Sequence, residues 1–192
     1  MLGRTHEVIG VGSVVSAAIL FPQQNLTTET AVIAIMAAMV GALAPDIDKP
    51  GSKIWDKIPA GGILSKIINP IFIGGHRHLT HSIIGVMLFA FGVKALTNVL
   101  PLGSAASADA IYYSFVIAFC SHLLADMFTK DGVPLLFPLP FHLGLPPFEF
   151  LRIRTNGWIE NLLVTPGVIA FVVALTYYYP DNAKMLAGII GL

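Results

Sequence analysis

Imidazoles and carboxylates are scarce in this chain, and most of them are grouped. His122 and Asp126 stand four positions apart at the end of an apolar run. That spacing puts both side chains on one helix face, with Cβ atoms about 5–6 Å apart. A nitrogen and an oxygen donor so placed can chelate one divalent cation or bridge two. A helix-end Asp hydrogen-bonded to a neighbouring His gives the same pattern. Ala44-Pro45-Asp46-Ile47-Asp48 follows another apolar run. Its two carboxylates make either a hard anionic site for a cation or a solvated helix-ending turn. His76-Arg77-His78-Leu79-Thr80-His81-Ser82 carries three of the six histidines. Thr80 or Ser82 can cap the helix that follows, because a hydroxyl accepts from its free N–H groups. His81, at the mouth of that helix, is the ligand candidate there, whereas Arg77 and the more exposed histidines can equally meet lipid headgroups. His6-Glu7 near the start and Arg152, Arg154, Thr155, Asn156, Gly157 and Glu160 near the end complete the set. His142 lies in a Pro-rich apolar stretch without such company and is expected to be structural.

The elements that must position these groups are helices in lipid. Hydrophobic residues make up 55% of the 192 and charged residues 11%, against about 25% charged in a soluble domain. So few charges cannot cover a water-exposed surface. Five apolar stretches stand out, at residues 8–21, 31–44, 83–102, 110–124 and 162–179; only the third contains a charged residue, Lys94. A span takes about 20 residues, so several of these reach it only with polar flanks that protein must shield. The expected fold is all-α: an integral membrane helical bundle of about five membrane helices, forming a single domain over residues 1–192. Residues 133–151 are apolar but contain Pro134, Pro138, Pro140, Pro146 and Pro147, which forbids a regular spanning helix and predicts a re-entrant or interfacial loop. Within the polar connection 45–82, residues 54–58 and 63–73 read as short amphipathic or interfacial segments. Arg4 before the first apolar run is reminiscent of a secretory signal, but His6-Glu7 and Pro22-Gln23-Gln24 fit that poorly, so the segment is expected to remain as the first helix. Net charge is zero, which gives no field to favour nucleic acid. Cys120 is the only cysteine, so no intramolecular disulfide can form, and it reads as a small buried hydrophobe.

Helices that cross a membrane alternate in direction. With five crossings, His6, Asp46, Asp48, His76, His78, His81, His122, Asp126, Arg152, Arg154 and Glu160 all fall on one face. The basic residues follow them: Arg4, Lys49, Lys53, Lys57, Lys66, Arg77, Lys130, Arg152 and Arg154 share that face, leaving Lys94 and Lys184 for the other. Cytoplasmic loops carry the Lys/Arg excess, so the polar face is expected to be cytoplasmic.

Taken together, Thr5-His6, Pro45-Asp46-Ile47-Asp48, His76-Arg77-x-x-Thr80-His81-Ser82 and His122-x-x-x-Asp126-x-x-Thr129-x-x-Gly132 resemble the YdjM-like family of LexA-regulated, inner-membrane, predicted metal-dependent hydrolases. The resemblance runs from residue 5 to about residue 160. It departs at His78, where the family pattern has a small residue. It implies a multi-pass protein of a bacterial or archaeal inner membrane with a metal-dependent hydrolase activity. The ordered His and Asp set is also loosely similar to the all-helical zinc-dependent phospholipase C group, which hints at phosphoesters.

The expected function is therefore a membrane-bound metal-dependent hydrolase acting on a phosphoester of a lipid or other amphiphilic substrate. Its ligands would be His6, Asp46, Asp48, His81, His122 and Asp126, with His76 and Glu160 behind them. Mixed nitrogen and oxygen donors suit one or two Zn²⁺ or Mn²⁺ ions. Glu160 or Asp48 would take a proton, and Arg77, Arg152 and Arg154 would clamp a phosphate. The partners expected are membrane lipids. A divalent metal-ion transporter, or a metal-binding membrane protein without catalysis, would use the same groups, but transport sites lie near the bilayer midplane and these ligands crowd one mouth. Accessibility labelling should place positions 46 and 126 on the same side of the membrane; labelling from opposite sides would end this topology.

Overall fold

The computed structural model describes residues 1–23, 25–68, 77–100 and 107–191. The first helix, α1, covers Gly3–Leu20. It starts five residues before the apolar run, so His6 lies inside the helix rather than ahead of it. α2 covers Thr28–Leu43 and is capped by Thr27, whose hydroxyl accepts from the Thr30 N–H at 3.1 Å. Pro45 cannot supply the next N–H, and the chain tightens into a 3₁₀ turn, Ala44–Asp48. Two short helices follow, α3 at Lys53–Asp56 and α4 at Gly61–Ile68; the rest of the predicted 63–73 segment, from 69 onward, lies outside the described residues. α5 covers Ile83–Val99, and its cap is Ser82, which accepts from the Gly85 N–H at 3.1 Å. α6 covers Ala108–Met127 behind Ser107, which accepts from Ala110 N–H at 3.2 Å. A π-helical turn, Glu160–Val164, leads into α7, Thr165–Tyr178, and α8 covers Pro180–Ile190. No strand occurs among the described residues, only two isolated bridges, Thr129 to Ile153 and Val133 to Leu143.

The fold is the all-helical one expected. Among the described residues, three helices are long and apolar enough to cross a membrane: Thr28–Asp48, Ala108–Met127 and Glu160–Tyr178. α5 is apolar but shorter, and α1 devotes its opening to Arg4, Thr5, His6 and Glu7. The predicted third run ended at 102, beyond the described part of that segment.

α2 and α6 make the most extensive helix pair, and α1 packs against both. α5 lies on α6, and α7 on α1. Gly41 decides how close the central pair comes. A Cβ there would sit 2.4 Å from the Phe115 carbonyl oxygen of α6, so only a glycine admits this approach. The contact is continued by Ala38 and Ala42 of α2 against Ala118 of α6, all fully buried, with Val14 of α1. Nearer the polar end, Leu43, Phe115, Phe119 and Leu123 pack with Trp55 of α3 and with Val133. Small residues at such crossings let helix backbones meet where lipid offers no hydrophobic driving force.

At the far end the bundle is tied by polar contacts. Ser107 N–H donates to Thr30 Oγ1 at 3.0 Å, and Lys94 meets Asp109 at 2.6 Å. α8 is tied to the same end: Asn182 donates to the Ile19 carbonyl at 2.7 Å, and the Ile189 carbonyl accepts from the Thr28 hydroxyl at 2.5 Å. The outward faces of α5 and α7 expose Met87, Phe91, Ile169 and Phe171, as helices bathed in lipid do. Cys120 also faces outward from α6, contrary to its reading as a core residue, because the inward positions on that turn are Ala118, Phe119 and His122.

Residues 133–151 form an irregular loop whose only regular turn is 3₁₀, Glu149–Leu151. Phe141, Phe148 and Phe150 are exposed on it. Gly41→Ala should lower the melting temperature in detergent, since forcing a methyl against a backbone carbonyl costs about 1–3 kcal/mol. An unchanged melting curve would show that the α2–α6 spacing is not set here.

Candidate metal centre

Four chain segments meet at the polar end of the bundle. α1 supplies His6, the 3₁₀ turn after α2 supplies Asp46, the turn before α5 supplies His81, and α6 supplies His122 and Asp126. Two groups of three donors result, His6 with His122 and Asp126, and Asp46 with His81 and His122; within each group the donor atoms lie within 4.8 Å of one another. His6, His81, His122 and Asp126 are buried to within 1% of full enclosure, and Asp46 is 15% exposed.

Second contacts fix which ring atoms face inward. His122 Nδ1 lies 2.7 Å from the Ala42 carbonyl. A carbonyl can only accept, so Nδ1 carries the hydrogen and the lone pair of Nε2 points into the cluster. There Nε2 is buried without a hydrogen bond, 3.9 Å from Asp46 Oδ1 and 3.8 Å from Asp126 Oδ2. The close approach allowed by Gly41 is what brings that carbonyl within reach. His81 is oriented by a relay. The Thr80 hydroxyl donates to Asp48 Oδ2 at 2.5 Å and lies 3.0 Å from His81 Nδ1. Its one hydrogen being committed, it accepts from Nδ1–H and leaves Nε2 of His81 as the inward lone pair. That atom is 3.7 Å from Asp46 Oδ1 and 3.9 Å from Asp126 Oδ2. Orientation of ligand imidazoles by such outer contacts is the usual construction of metal sites.

Each of these two nitrogens thus lies 3.7–3.9 Å from the same two carboxylate oxygens, against about 3.4 Å between ligands of a tetrahedral ion with bonds of about 2.1 Å, so the two side-chain pairs face one space that an ion would draw together. His6 sits differently. Its ring stacks on that of His122, with centroids 3.6 Å apart and planes 11° apart, and its Nε2 is 3.2 Å from the other Asp126 oxygen, Oδ1. The Met1 ammonium contacts the same oxygen.

The remaining predicted site residues are placed around the cluster. Asp46 and Asp48 diverge because a 3₁₀ turn has three residues per revolution: Asp46 faces the histidines, while Asp48 binds the 77–80 turn, accepting Arg77 N–H at 3.0 Å besides Thr80. Arg77, in the left-handed region at φ 63°, sets Nη2 at 2.7 Å from Asp126 Oδ2 and Nη1 at 3.0 Å from exposed Asp131. Glu160 is wholly buried, but both its oxygens accept backbone N–H groups, from Leu2 at 2.5 Å and Asn156 at 2.7 Å. His76 lies outside the described residues. His78 packs edge-on against Phe137 at 6.0 Å. His142 is exposed, away from the cluster, with Nδ1 donating to the Asp131 carbonyl at 3.0 Å.

Arg152, expected at a phosphate, has its guanidinium elsewhere. It donates to the Pro146, Pro147 and Lys130 carbonyls at 2.8, 2.8 and 3.2 Å, lying where a Cβ on Gly144 would fall. It staples the Pro-rich loop. Arg154 is exposed and is not among the groups that meet at the cluster. Glu7 pairs with Lys53 and with Lys57, the latter at 2.9 Å, joining α1 to α3. Partial burial there, with Lys57 and Arg4 nearby, holds the Lys53 ammonium below its ordinary pKa. Sequence reasoning missed the Ala42 carbonyl and the part played by Thr80. The first leaves no trace in residue type; the second had a signal in Thr80 preceding His81, but it reads as a cap.

The family model described as YdjM inner membrane protein matches residues 1–188. The uncharacterized protein YvsG of Bacillus subtilis (strain 168) is 31% identical over 179 residues, 93% of this chain and 94% of that protein. The inner membrane protein YdjM of Escherichia coli (strain K12) is 38% identical over 153 residues, 79% of this chain and 70% of that protein, as is the protein of the same name in Shigella flexneri. No solved structure matches. Because Arg152 holds the loop and not the cluster, Arg152→Lys should speed proteolysis within residues 133–151 and leave metal content unchanged. A parallel loss of metal would place Arg152 in the site.

Proposed function

This chain belongs to the YdjM inner membrane protein family, and we propose that it is a membrane-bound metal-dependent hydrolase whose site faces the cytoplasm. One observation carries the metal reading: His122 Nε2, buried and without a hydrogen bond, is aimed between two carboxylates. A buried polar atom left unsatisfied costs about 1–3 kcal/mol, and a cation satisfies it. The nitrogen and oxygen donors suit Zn²⁺ or Mn²⁺. A bound divalent ion lowers the pKa of a water from 15.7 to about 7, making hydroxide available at neutral pH.

Arg77 is the guanidinium that reaches the cluster among the described residues, and it stands between Asp126 and the exposed Asp131. With Asp126 engaged by a cation, its charge would meet an anionic group of the substrate, as arginine does bidentately with phosphate. Neither Asp48 nor Glu160 is free to take a proton in the way expected, since Oδ2 of the one and both oxygens of the other are engaged. His6, with Nε2 3.2 Å from Asp126 Oδ1, stands at the cluster for that role. The exposed Phe141, Phe148 and Phe150 of the neighbouring loop favour an amphiphilic phosphoester, with its apolar part left in the bilayer. The excess of Lys and Arg in the connections on the site's side supports the cytoplasmic orientation.

Protein purified in detergent should carry divalent metal, and His122→Ala and Asp126→Ala should each lose it, with hydrolysis of phosphomonoester or phosphodiester probes falling in step. Loss of a ligand should exceed the 10–100-fold typical of outer-shell changes. Metal retained in both variants would remove the site; metal-dependent uptake into vesicles without turnover would make this a transporter.

A further inference from the structure

Both groups of three donors contain His122, and no described group of three does without it. Its Nδ1–H is committed to the Ala42 carbonyl, so the ring has one lone pair to give, and one neutral imidazole nitrogen binds one ion. An ion beside Asp126 Oδ1 that did not use His122 would have His6 as its other donor among the described His, Asp and Glu side chains. Among the described residues the two groups are therefore alternatives for one position, not two positions.

Ring orientation chooses between them. An imidazole lone pair lies in the plane of its ring, and a ligated ion lies close to that plane. The His6 and His122 planes are nearly parallel, 11° apart, with centroids separated by 3.6 Å. An ion shared by both would stand out of each plane by about half that separation. The His81 and His122 planes meet at 69°, so a single point can lie in both. The carboxylates agree: Asp46 Oδ1 and Asp126 Oδ2 lie 3.7–3.9 Å from both of these Nε2 atoms, while His6 approaches the opposite oxygen of Asp126.

We infer that the centre is mononuclear, with His81, His122, Asp46 and Asp126 as its protein ligands, and that His6 stands outside the coordination shell as the group positioning Asp126. The inference rests on the metal reading above.

The full chain in detergent, titrated with Mn²⁺ alone, should bind one equivalent with the spectrum of an isolated ion. Electron spin-echo modulation should count two directly bound imidazoles. His6→Ala should keep that count of two and weaken binding by no more than the 10–100-fold of a neighbour to a ligand; His81→Ala should reduce the count to one or abolish binding. A second equivalent, a spin-coupled pair, or three bound imidazoles in the unaltered protein would overturn the inference while leaving the metal site standing. Failure to bind Mn²⁺ or Zn²⁺ at all would overturn the metal reading itself. Because the unaltered protein supplies the deciding measurements, a variant that fails to fold does not blunt the test.

Discussion

An ionised carboxylate withdrawn from water is costly unless counter-charge and hydrogen bonds replace its hydration. Asp126 is such a group, enclosed at the end of α6. Arg77 faces one of its oxygens, and His6 with the Met1 ammonium faces the other. These partners come from the start of α1 and from the turn before α5, and His122, one helical turn earlier, adds the tie to α2 through Ala42. The need to surround one buried anion thus draws the ends of four segments to the same place. The small-residue contacts farther along the bundle let that convergence happen without strain in the helices.

Around this centre the polar residues divide by reach. Short side chains on helix ends, Asp46 and Asp126, face inward as acceptors. Asp48, Thr80 and Glu160 bind backbone groups or other side chains and so hold the shapes of the turns. Arg152, with five donors in a rigid fork, organises the loop where prolines have removed the backbone's own donors. Chemistry and scaffolding are thus served by the same residue types within a few positions of each other, and only the direction of each side chain separates them.

That division explains what the sequence disclosed. The i, i+4 spacing of His122 and Asp126, the cap at Ser82, the proline pattern of 133–151 and the convergence of distant motifs all depend on local periodicity or on the alternation of helices, and each is legible in residue order. The role of Asp48 as a brace, the capture of Arg152 by carbonyls and the tautomer of His122 depend on backbone groups remote in sequence, which residue types do not encode. The ends of the helices are subtler. Apolar run length treats each segment alone, whereas α1 carries a polar opening into the helix because Glu7 and His6 have partners waiting, and α5 closes at Val99. Cys120 was misjudged for a similar reason: hydrophobic surroundings in sequence do not distinguish a core from a lipid-facing stripe.

α7 is nearly bare along its length, with Leu175 its one buried position, and it follows directly from the π turn that begins at enclosed Glu160. Away from its contact with α1 its surface is left to the acyl chains, and changes in bilayer thickness, which tilt or shift a helix to match hydrocarbon depth, act on it more directly than on the central helices. The three helices that carry most of the inward-facing donors are shielded by one another. A mechanical influence of the lipid on α7 reaches the donors by two routes, the packing of α7 on α1 and the Glu160 carboxylate with the two backbone amides it grips, and both arrive at α1.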